Sequence, residues 1–578
     1  MEATNFLPPT GEPYNDFGAG NYKGFEVLAA LLQTRTKRQA AVDRESGTVD
    51  KAVTTLLSAV LLGNGLDAGN ELLSAVREAI FATLAAVAAA PDRDAALANG
   101  LQAFGSGTRE SPLGVHRTTV DGAVPRLTRA EMDDVVGGAY VEAMAALAGV
   151  GARSPRVTLV IDDTSQRVAS KHLSGAFSYI NVGQRKTWER GFKYPSIYDA
   201  THQLFVGMHH ADYRLREGQK RALRPWVQDL QAKAALVRAA GSAVAVFEGD
   251  REYFTGEFFA AAYFGLLDPG APPREQPRAV VPRKFTREKE NFKWNYLLDP
   301  DSPQVFTAHV GLSPSTHPAL RDRCAAAFAR GKGGTYQVPY ACVALADEYG
   351  REQPRTLAEL GEAARGVQAG LDRCARALPA ADAAYLKYYR KVAGRRGAAP
   401  GRGRGAKRTA FYGAEDERLY HACLDLRGRQ ADLKKEKASL LDALMFFAVS
   451  LRPGEDPAAS PGTFVALARD YHERWGVENG FRDVKHLFLR ACRSAKPTRR
   501  QFYLMAGMLL YNDWHLQRML KMLPLYRGAA WNKRPYDPRR PHVRRKVEQE
   551  LGGVQSARRY LTRLWASGIT RSIERTLK

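Results

Sequence analysis

The sequence predicts an α/β fold, in a chain that is long enough to form several domains. Three runs of residues predict it. The β-branched run "RVTLVIDDTS" begins at Arg156, the run "SAVAVFEGDREYF" follows a helical segment, and the buried run "DALMFFAVSLRPG" precedes two long helical segments. From Arg156 to Asp250 the order is strand, hairpin, helix and strand, an α/β pattern in which the first and last of these strands can lie side by side.

Residues 1–150 are rich in Ala and Leu at helical spacing, broken by Gly and Pro, as in "AVTTLLSAVLLGNGLDAGNELLSAVREAIFATLAAV". This periodicity predicts a helical N-terminal domain. Binding of DNA ends is one hypothesis for its role, although no residue pattern in it points to that activity.

Residues 151–270 have the texture of a sheet. After the first strand, "FKYPSIYDATHQLFVGMHH" places Tyr-Asp-Ala-Thr between two extended halves, which predicts a β-hairpin. "REGQKRALRPWVQDLQAKAALVRAAG" then predicts a helix, and the strand that follows it ends in an acid, Asp250. We interpret this region as the first part of a core domain.

Residues 271–438 are irregular and are interpreted as an insertion domain. The segment contains a Pro-rich stretch, a strand in "GGTYQVPYACVALAD" and an Ala-rich helix near Leu357 to Leu378. Its last part, "YYRKVAGRRGAAPGRGRGAKR", predicts a flexible basic loop, because Gly removes order and the cations repel one another. Two roles stay open for this loop, a clamp on a phosphate backbone and a solvated linker.

Residues 439–525 form the second part of the core in this interpretation. A buried strand is followed by the long helix "PGTFVALARDYHERWGVENGFRDVKHLFLRA" and by a mostly buried helix, "RRQFYLMAGMLLYNDWHLQRMLKML". Residues 526–578 complete the chain as a basic, helical C-terminal tail.

The charge balance indicates a polyanionic partner. The chain has 85 Lys and Arg against 61 Asp and Glu, a net charge of +24, and residues 491–578 alone hold 20 basic and 5 acidic residues. A field of this sign attracts nucleic acid. The alternative is a ribosome-like or merely basic soluble protein.

Cysteine usage and the first residues predict a cytoplasmic protein with no membrane segment. The five cysteines form no Cys-x-x-Cys pair, so a disulfide framework or a zinc ribbon is not expected. The N-terminus lacks a basic stretch followed by an apolar run, and the longest apolar run, residues 79–90, is too short to span a bilayer.

Three acidic positions are candidates for metal chemistry. Asp163, with its neighbour Asp162, follows one predicted strand, Asp250 follows another, and Glu478 lies on the helix after a third. Carboxylates gathered at strand ends are hard oxygen ligands for Mg²⁺ or Mn²⁺. Each acid taken singly is more often a helix cap or a turn residue.

Glu478 lies in a polar stripe of its helix. At 3.6 residues per turn, Tyr471, Arg474, Glu478 and Lys485 fall within about 60° of one another, beside an apolar stripe. The commoner explanation for a lone Glu in this setting is an exposed helix face with ion pairs.

These residues resemble a known family. Tyr471, Arg474, Glu478 and Lys485 match the Y-x2-R-x3-E-x6-K signature of the insertion-sequence DDE transposases. "VIDDTS" and "GDREYF" are similar to the strands that carry the first and second Asp of that family, and the long gap before Glu478 is similar to members with an insertion domain. The resemblance covers residues 156 to about 523.

The resemblance implies an RNase H-like mixed sheet core with helices on both faces, interrupted by the insertion domain. It implies that Asp163, Asp250 and Glu478 bind two Mg²⁺ or Mn²⁺ ions and that Tyr471, Arg474 and Lys485 hold DNA phosphates. Asp163 is preferred to Asp162 because it directly precedes Thr164, as in the family.

The implied activity is cut-and-paste transposition of an insertion sequence. The implied partners are double-stranded terminal inverted repeats and target DNA, bound by a homodimer on paired ends in the prokaryotic nucleoid. The alternatives are an RNase H-like nuclease or a domesticated transposase, and a non-catalytic DNA-binding protein whose acids are structural.

Some residues depart from the family pattern or add to it. Gly476 and Gly480 interrupt the signature helix at a cost of about 1 kcal/mol each relative to Ala, and close approach of a DNA backbone is one explanation for them. Trp188 and Trp294 are candidates to stack a flipped base, although packing is the commoner role of a tryptophan.

Overall fold

The computed structural model describes thirteen stretches of the chain, from residue 52 to residue 565. They are 52–57, 60, 127–167, 178–182, 187–208, 225–283, 289–313, 318–346, 356–395, 414–488, 497–528, 560–561 and 564–565. Most of the predicted N-terminal domain, most of the C-terminal tail and residues 396–413 of the Gly/Arg-rich loop lie outside these stretches.

In the described part of the chain, nine strands form one mixed sheet in the order β2-β3-β1-β5-β6-β9-β8-β7, with β4 paired to β3. The strands are β1 Arg156–Arg167, β2 Ser178–Val182, β3 Thr187–Asp199, β4 Leu204–Met208, β5 Ala243–Gly249, β6 Arg278–Pro282, β7 Val305–Leu312, β8 Tyr336–Ala346 and β9 Leu444–Ser450. Strands β1, β5 and β6 are parallel, and the other pairings are antiparallel. The expected α/β class is confirmed.

Ten α-helices accompany the sheet between residues 129 and 528 of the described part of the chain, and residues 52–57 are helical as well. They are α1 Arg129–Gly149, α2 Pro225–Ala239, α3 Gly256–Tyr263, α4 Lys289–Leu298, α5 Pro318–Ala327, α6 Leu357–Arg395, α7 Ala414–Ala443, α8 Pro461–Asp470, α9 Trp475–Asp483 and α10 Pro497–Gly528. Helix α1 begins with a capping box, in which Thr128 and Glu131 bond each other's backbone N–H groups.

Alternation along β1 divides the core into two layers. Val160 packs in a cluster with residues of α9 and α10, such as Val477 and Leu509, whereas Leu159 and Ile161 pack in a second cluster with residues of α2 and α3. Because successive side chains of a strand point to opposite faces, helices cover both faces of the sheet at β1.

The predicted hairpin and the pairing of the first and last strands of residues 151–270 are both present. Strands β3 and β4 are antiparallel and are joined by residues 200–203, where Gln203 has a φ of 58°. Strand β5 lies parallel to β1, with Ile161 opposite Gly249. The local patterns were therefore sufficient to predict this half of the sheet.

Residues 271–438 contribute three strands to the same sheet. Strand β6 pairs with both β5 and β9, and β8 pairs with β9 and β7. The predicted boundary at residue 271 thus falls inside the sheet, because these pairings are non-local and leave no signal in the neighbouring sequence. After these strands, α6 and α7 form a hairpin of two paired helices.

The hairpin of α6 and α7 extends beyond the predicted Ala-rich helix. Helix α6 continues through Pro379 to Arg395, and α7 fills residues 414–443, for which the sequence analysis predicted no helix. Most of α7 is exposed, so it lacks the regular apolar stripe by which an amphipathic helix is recognised.

None of the helices within the described residues combines the length and the apolar character that crossing a membrane requires.

Candidate active site

The acids of β1 and β5 are brought together by the parallel pairing of these strands. Ile161 of β1 lies opposite Gly249 of β5, so Asp162, the next residue of β1, lies level with Asp250, the residue that follows β5. Asp163 is one residue further along β1. Asp250 also caps the helical turn that follows β5, because its Oδ1 accepts a hydrogen bond of 2.6 Å from the backbone N–H of Glu252. Strand pairing therefore positions two of the three predicted acid positions side by side.

The two adjacent aspartates lie on opposite faces of β1. The strand runs on to Arg167, so the expectation that the acids end the strand was wrong; antiparallel pairing with β3 extends it past them. Asp162 is on the face of Val160 and is buried, and Asp163 is half-buried. The face that α9 covers is therefore the face of Asp162.

The segment with Glu478 is a series of three helical types and not one α-helix. Residues Tyr471–Arg474 form a 3₁₀ turn, α9 follows, and Val484–Phe488 form a π-helical turn. The expected stripe at 3.6 residues per turn is therefore distorted at both ends. Short π-helical turns occur frequently at functional sites, and this one contains Lys485.

Gly476 and Gly480 explain how closely this segment approaches the sheet. A Cβ at Gly480 would lie 3.3 Å from the ring of Tyr198 and 3.4 Å from that of Phe205, and a Cβ at Gly476 would lie 3.5 Å from Tyr198. The glycines therefore face aromatic side chains of β3 and β4. The hypothesis that they admit a DNA backbone is not needed, because the close approach is to the protein's own core.

Arg474 joins two of the acids. Its Nη1 donates to Asp162 Oδ2 at 2.6 Å, and its Nη2 donates to Glu478 Oε1 at 2.6 Å. The ion pair with Glu478 is the i, i+4 pair that the commoner explanation of this helix expects. The second ion pair joins Arg474 to Asp162, which is 312 residues away in the chain, and an exposed helix face with local ion pairs does not account for it.

The electrostatics show that negative charge is crowded here. The pKa of Asp162 is raised to about 7, chiefly by burial and also by Asp250 and Asp163, against the lowering effect of Arg474. Burial also raises the pKa of Asp250, and Asp163 contributes to that shift. A second cation is close, since burial lowers the pKa of Lys485 while Asp163 and Asp162 raise it.

Tyr471, a predicted contact for DNA phosphate, is buried in the core. Its hydroxyl donates to the backbone carbonyl of Gly249 at 3.0 Å, and its ring packs against Phe447 at a centroid distance of 5.1 Å. Burial raises the pKa of the Tyr471 phenol. In this position Tyr471 joins residues 471–488, which contain Glu478, to the end of β5 directly before Asp250.

Glu248 is a buried acid near the site that was not among the predicted site residues. This side chain is fully buried and lies in β5, opposite Val160 of β1. Alternation along "FEGD" puts Glu248 on the same side as Asp250, a signal that the sequence contained. Of the two tryptophans considered for base stacking, Trp294 is buried and donates its indole N–H to Gln368 at 2.7 Å, while the side chain of Trp188 lies outside the described residues.

The carboxylates of the site suit a divalent cation, but the guanidinium of Arg474 lies between two of them, Asp162 and Glu478. Asp162, Asp163, Asp250 and Glu478 supply carboxylate oxygens, the ligands that Mg²⁺ and Mn²⁺ prefer. Within the described residues, no three or more His, Cys, Asp or Glu side chains are arranged to hold an ion as they stand. The chemistry of the site thus fits a metal, and the guanidinium of Arg474 takes the place of a cation between Asp162 and Glu478.

Comparison with known proteins adds no identification: no family model matches the chain, and no curated protein matches it.

Proposed function

We propose that the protein is a DNA transposase that cuts and joins an insertion sequence by two-metal phosphodiester hydrolysis and strand transfer. One observation carries the proposal. Arg474 binds Asp162 of β1 and Glu478 of α9, and Asp250 after β5 and Lys485 are close enough for their charges to interact with this group, in a chain of net charge +24. Convergence of this kind is not needed for an ordinary surface ion pair.

The acids would hold the ions, and the chemistry that bound Mg²⁺ or Mn²⁺ supplies is activation of the attacking water or 3′-hydroxyl and stabilisation of the leaving oxygen. We assign Asp162, Asp250 and Glu478 as the ligands, with Asp163 as the neighbouring acid, because Asp162 is on the face of Glu478. This reverses the preference that the family resemblance implied for Asp163.

The cations of the site would bind and orient the DNA. Arg474 has a planar fork that suits bidentate contact with a phosphate, and Lys485 supplies a point charge. For Arg474 to bind phosphate, its guanidinium must leave Asp162 and Glu478, both of which would then turn to the metal. Tyr471 keeps its position in the core and fixes the end of β5.

The test is divalent-ion-dependent nicking of a supercoiled plasmid. The wild-type protein is expected to nick with Mg²⁺ or Mn²⁺ and not with EDTA, and Glu478→Ala is expected to lose nicking while it keeps DNA affinity, measured by fluorescence anisotropy. Glu436→Ala removes an equal charge from an exposed position of α7 and serves as the control. Nicking by Glu478→Ala at the wild-type rate would refute the assignment.

Strand transfer separates a transposase from a nuclease or a domesticated relative. A transposase with its terminal inverted repeats joins the liberated 3′-hydroxyls to target DNA, whereas a nuclease stops at hydrolysis. Paired ends also require two active sites, so we propose a homodimer on DNA, which sedimentation of the complex can test. DNA that flanks the gene should show inverted repeats bounded by a short direct duplication.

A second candidate function is non-catalytic DNA binding. The observation in its favour is that Arg474 already neutralises Asp162 and Glu478 through two short ion pairs. In that case the acids and Arg474 only fasten α9 to β1. The wild-type protein would then bind DNA and show no nicking with any divalent ion.

A further inference from the structure

A second group of charges lies at the opposite end of the parallel strands from the acids. It consists of Arg156 at the start of β1, Arg278 at the start of β6, and Arg452 and Glu455 in the loop after β9. Arg156 precedes Asp162 by six residues of strand, which corresponds to roughly 20 Å. This arginine group is therefore distinct from the proposed active site.

The single carboxylate of the group is already fully engaged. Arg278 binds both oxygens of Glu455, at 2.5 Å each, and also donates to the backbone carbonyl of Ser450 at 2.9 Å. The backbone N–H of Arg452 donates to Glu455 Oε2 at 2.9 Å. The neighbouring acid Asp456 accepts a bond from the N–H of Ala458 within its own turn.

Arg452 lacks such a partner for its side chain. Its Nη2 donates to the backbone carbonyl of Gln276 at 3.0 Å, while its Nε is buried and makes no hydrogen bond within the described residues. Burial lowers the pKa of Arg452, and Arg278 and Arg156 lower it further, against the effect of Glu455. Arg452 is thus a half-buried cation with a spare donor beside two other cations.

The group is open to an anion. Arg156 is exposed and Arg452 is half-buried, so part of each residue is accessible from solvent. Three guanidinium groups against one carboxylate leave an excess of two positive charges, which matches the charge of a phosphate monoester or of inorganic phosphate. Guanidinium groups bind phosphate oxygens through several donors at once.

We propose that Arg156, Arg278 and Arg452 form a binding site for a phosphate group. Arg278 is held by Glu455 and acts as a fixed positive charge, while the half-buried guanidinium of Arg452 and the exposed Arg156 supply the donors that solvent can reach. The phosphate is either a free or terminal phosphate or a phosphate of a nucleic-acid backbone that passes the far end of the sheet. The site does not depend on the proposed metal chemistry.

Isothermal titration of the full chain with inorganic phosphate tests the proposal. We expect the wild-type protein to bind phosphate and Arg452→Gln to bind it at least tenfold more weakly. Arg156→Gln is expected to weaken binding severalfold, and it carries the test if Arg452→Gln does not fold, because Arg156 is exposed. Arg429→Gln, which removes an exposed arginine of α7, is the matched control and should bind as the wild type does.

Measuring the binding of duplex DNA at several salt concentrations distinguishes the two sources of the phosphate, a nucleic-acid backbone and a free or terminal phosphate. A salt dependence that falls by about one charge in Arg452→Gln and Arg156→Gln assigns the site to a nucleic-acid backbone. An unchanged salt dependence, together with lost binding of inorganic phosphate, assigns it to a free or terminal phosphate; both results support the site. Absence of phosphate binding by the wild type, or equal binding by all variants, would overturn it and leave the arginines as a fastening for the loop after β9.

Discussion

Replacing Arg474 with methionine should destabilise the protein chiefly through Asp162. The side chains of Arg474 and Asp162 are 14% and 11% exposed, so the substitution leaves a buried carboxylate without its cation. Removing one partner of such a pair costs about 3–5 kcal/mol while the other stays charged. Because the pKa of Asp162 is already raised to about 7, the full cost is expected only at alkaline pH, where the measurement is made. Glu478 is 46% exposed in its pair with Arg474, and a pair of that kind contributes less than about 1 kcal/mol.

The measurement is the free energy of unfolding in guanidinium chloride, followed by tryptophan fluorescence, for two double-mutant cycles. Asp162→Asn in the Arg474→Met background should restore most of the lost stability, since both charges are then gone. The coupling energy between Arg474 and Asp162 is therefore expected at about 2 kcal/mol or more. The coupling between Arg474 and Glu478, measured with Glu478→Gln, should stay below about 1 kcal/mol. A coupling to Glu478 that equals or exceeds the coupling to Asp162 would refute the reasoning.

Three further substitutions test how residues 471–488 pack on the sheet. Gly480→Ala should lower the stability and slow any cleavage, because its Cβ would lie only 3.3 Å from the ring of Tyr198. Gly476→Ala, whose Cβ would lie at an ordinary 3.5 Å from that ring, should be neutral or gain up to about 1 kcal/mol of helix propensity. Thermal unfolding compares the two variants, and a Gly480→Ala variant more stable than the wild type would contradict the packing argument. Tyr471→Phe removes the buried bond to Gly249 and should cost about 1 kcal/mol in the same assay, with DNA affinity retained. A loss of DNA affinity in Tyr471→Phe with stability unchanged would instead support the phosphate contact that the family resemblance implied.

Local patterns were sufficient for the elements that carry the site. The runs that end near Asp163 and at Asp250 predicted β1 and β5, and the helix between them predicted that the two strands can lie side by side, as they do in parallel orientation. The hairpin of β3 and β4 was likewise visible in its turn residues. In these cases the signal lies within a few residues of the feature that it predicts.

The details of the site depend on contacts that are distant in the chain. The choice between Asp162 and Asp163 is decided by which face of β1 the segment with Glu478 covers, and that face is set by the packing of the segment's glycines on Tyr198. The 3₁₀ and π-helical turns at the two ends of α9 belong to the same segment that packs on the sheet. No local periodicity carries this information.

The extent of the sheet was also not visible in the sequence. Strands β6, β7 and β8 lie in a segment of irregular texture, and only their pairing with β5 and β9 makes them part of the core. Helix α7 was missed for a different reason, because its largely exposed surface has no apolar stripe to reveal it.

In the proposed site, Asp162 of β1, Asp250 after β5 and Glu478 of α9 bind the same divalent ions. Electron paramagnetic resonance of Mn²⁺ counts bound ions without any need for activity. We predict two ions for the wild-type protein and weaker or fewer ions for each of Asp162→Asn, Asp250→Asn and Glu478→Gln, with Glu436→Gln unchanged. Equal Mn²⁺ binding by the wild type and all three site variants would contradict the claim.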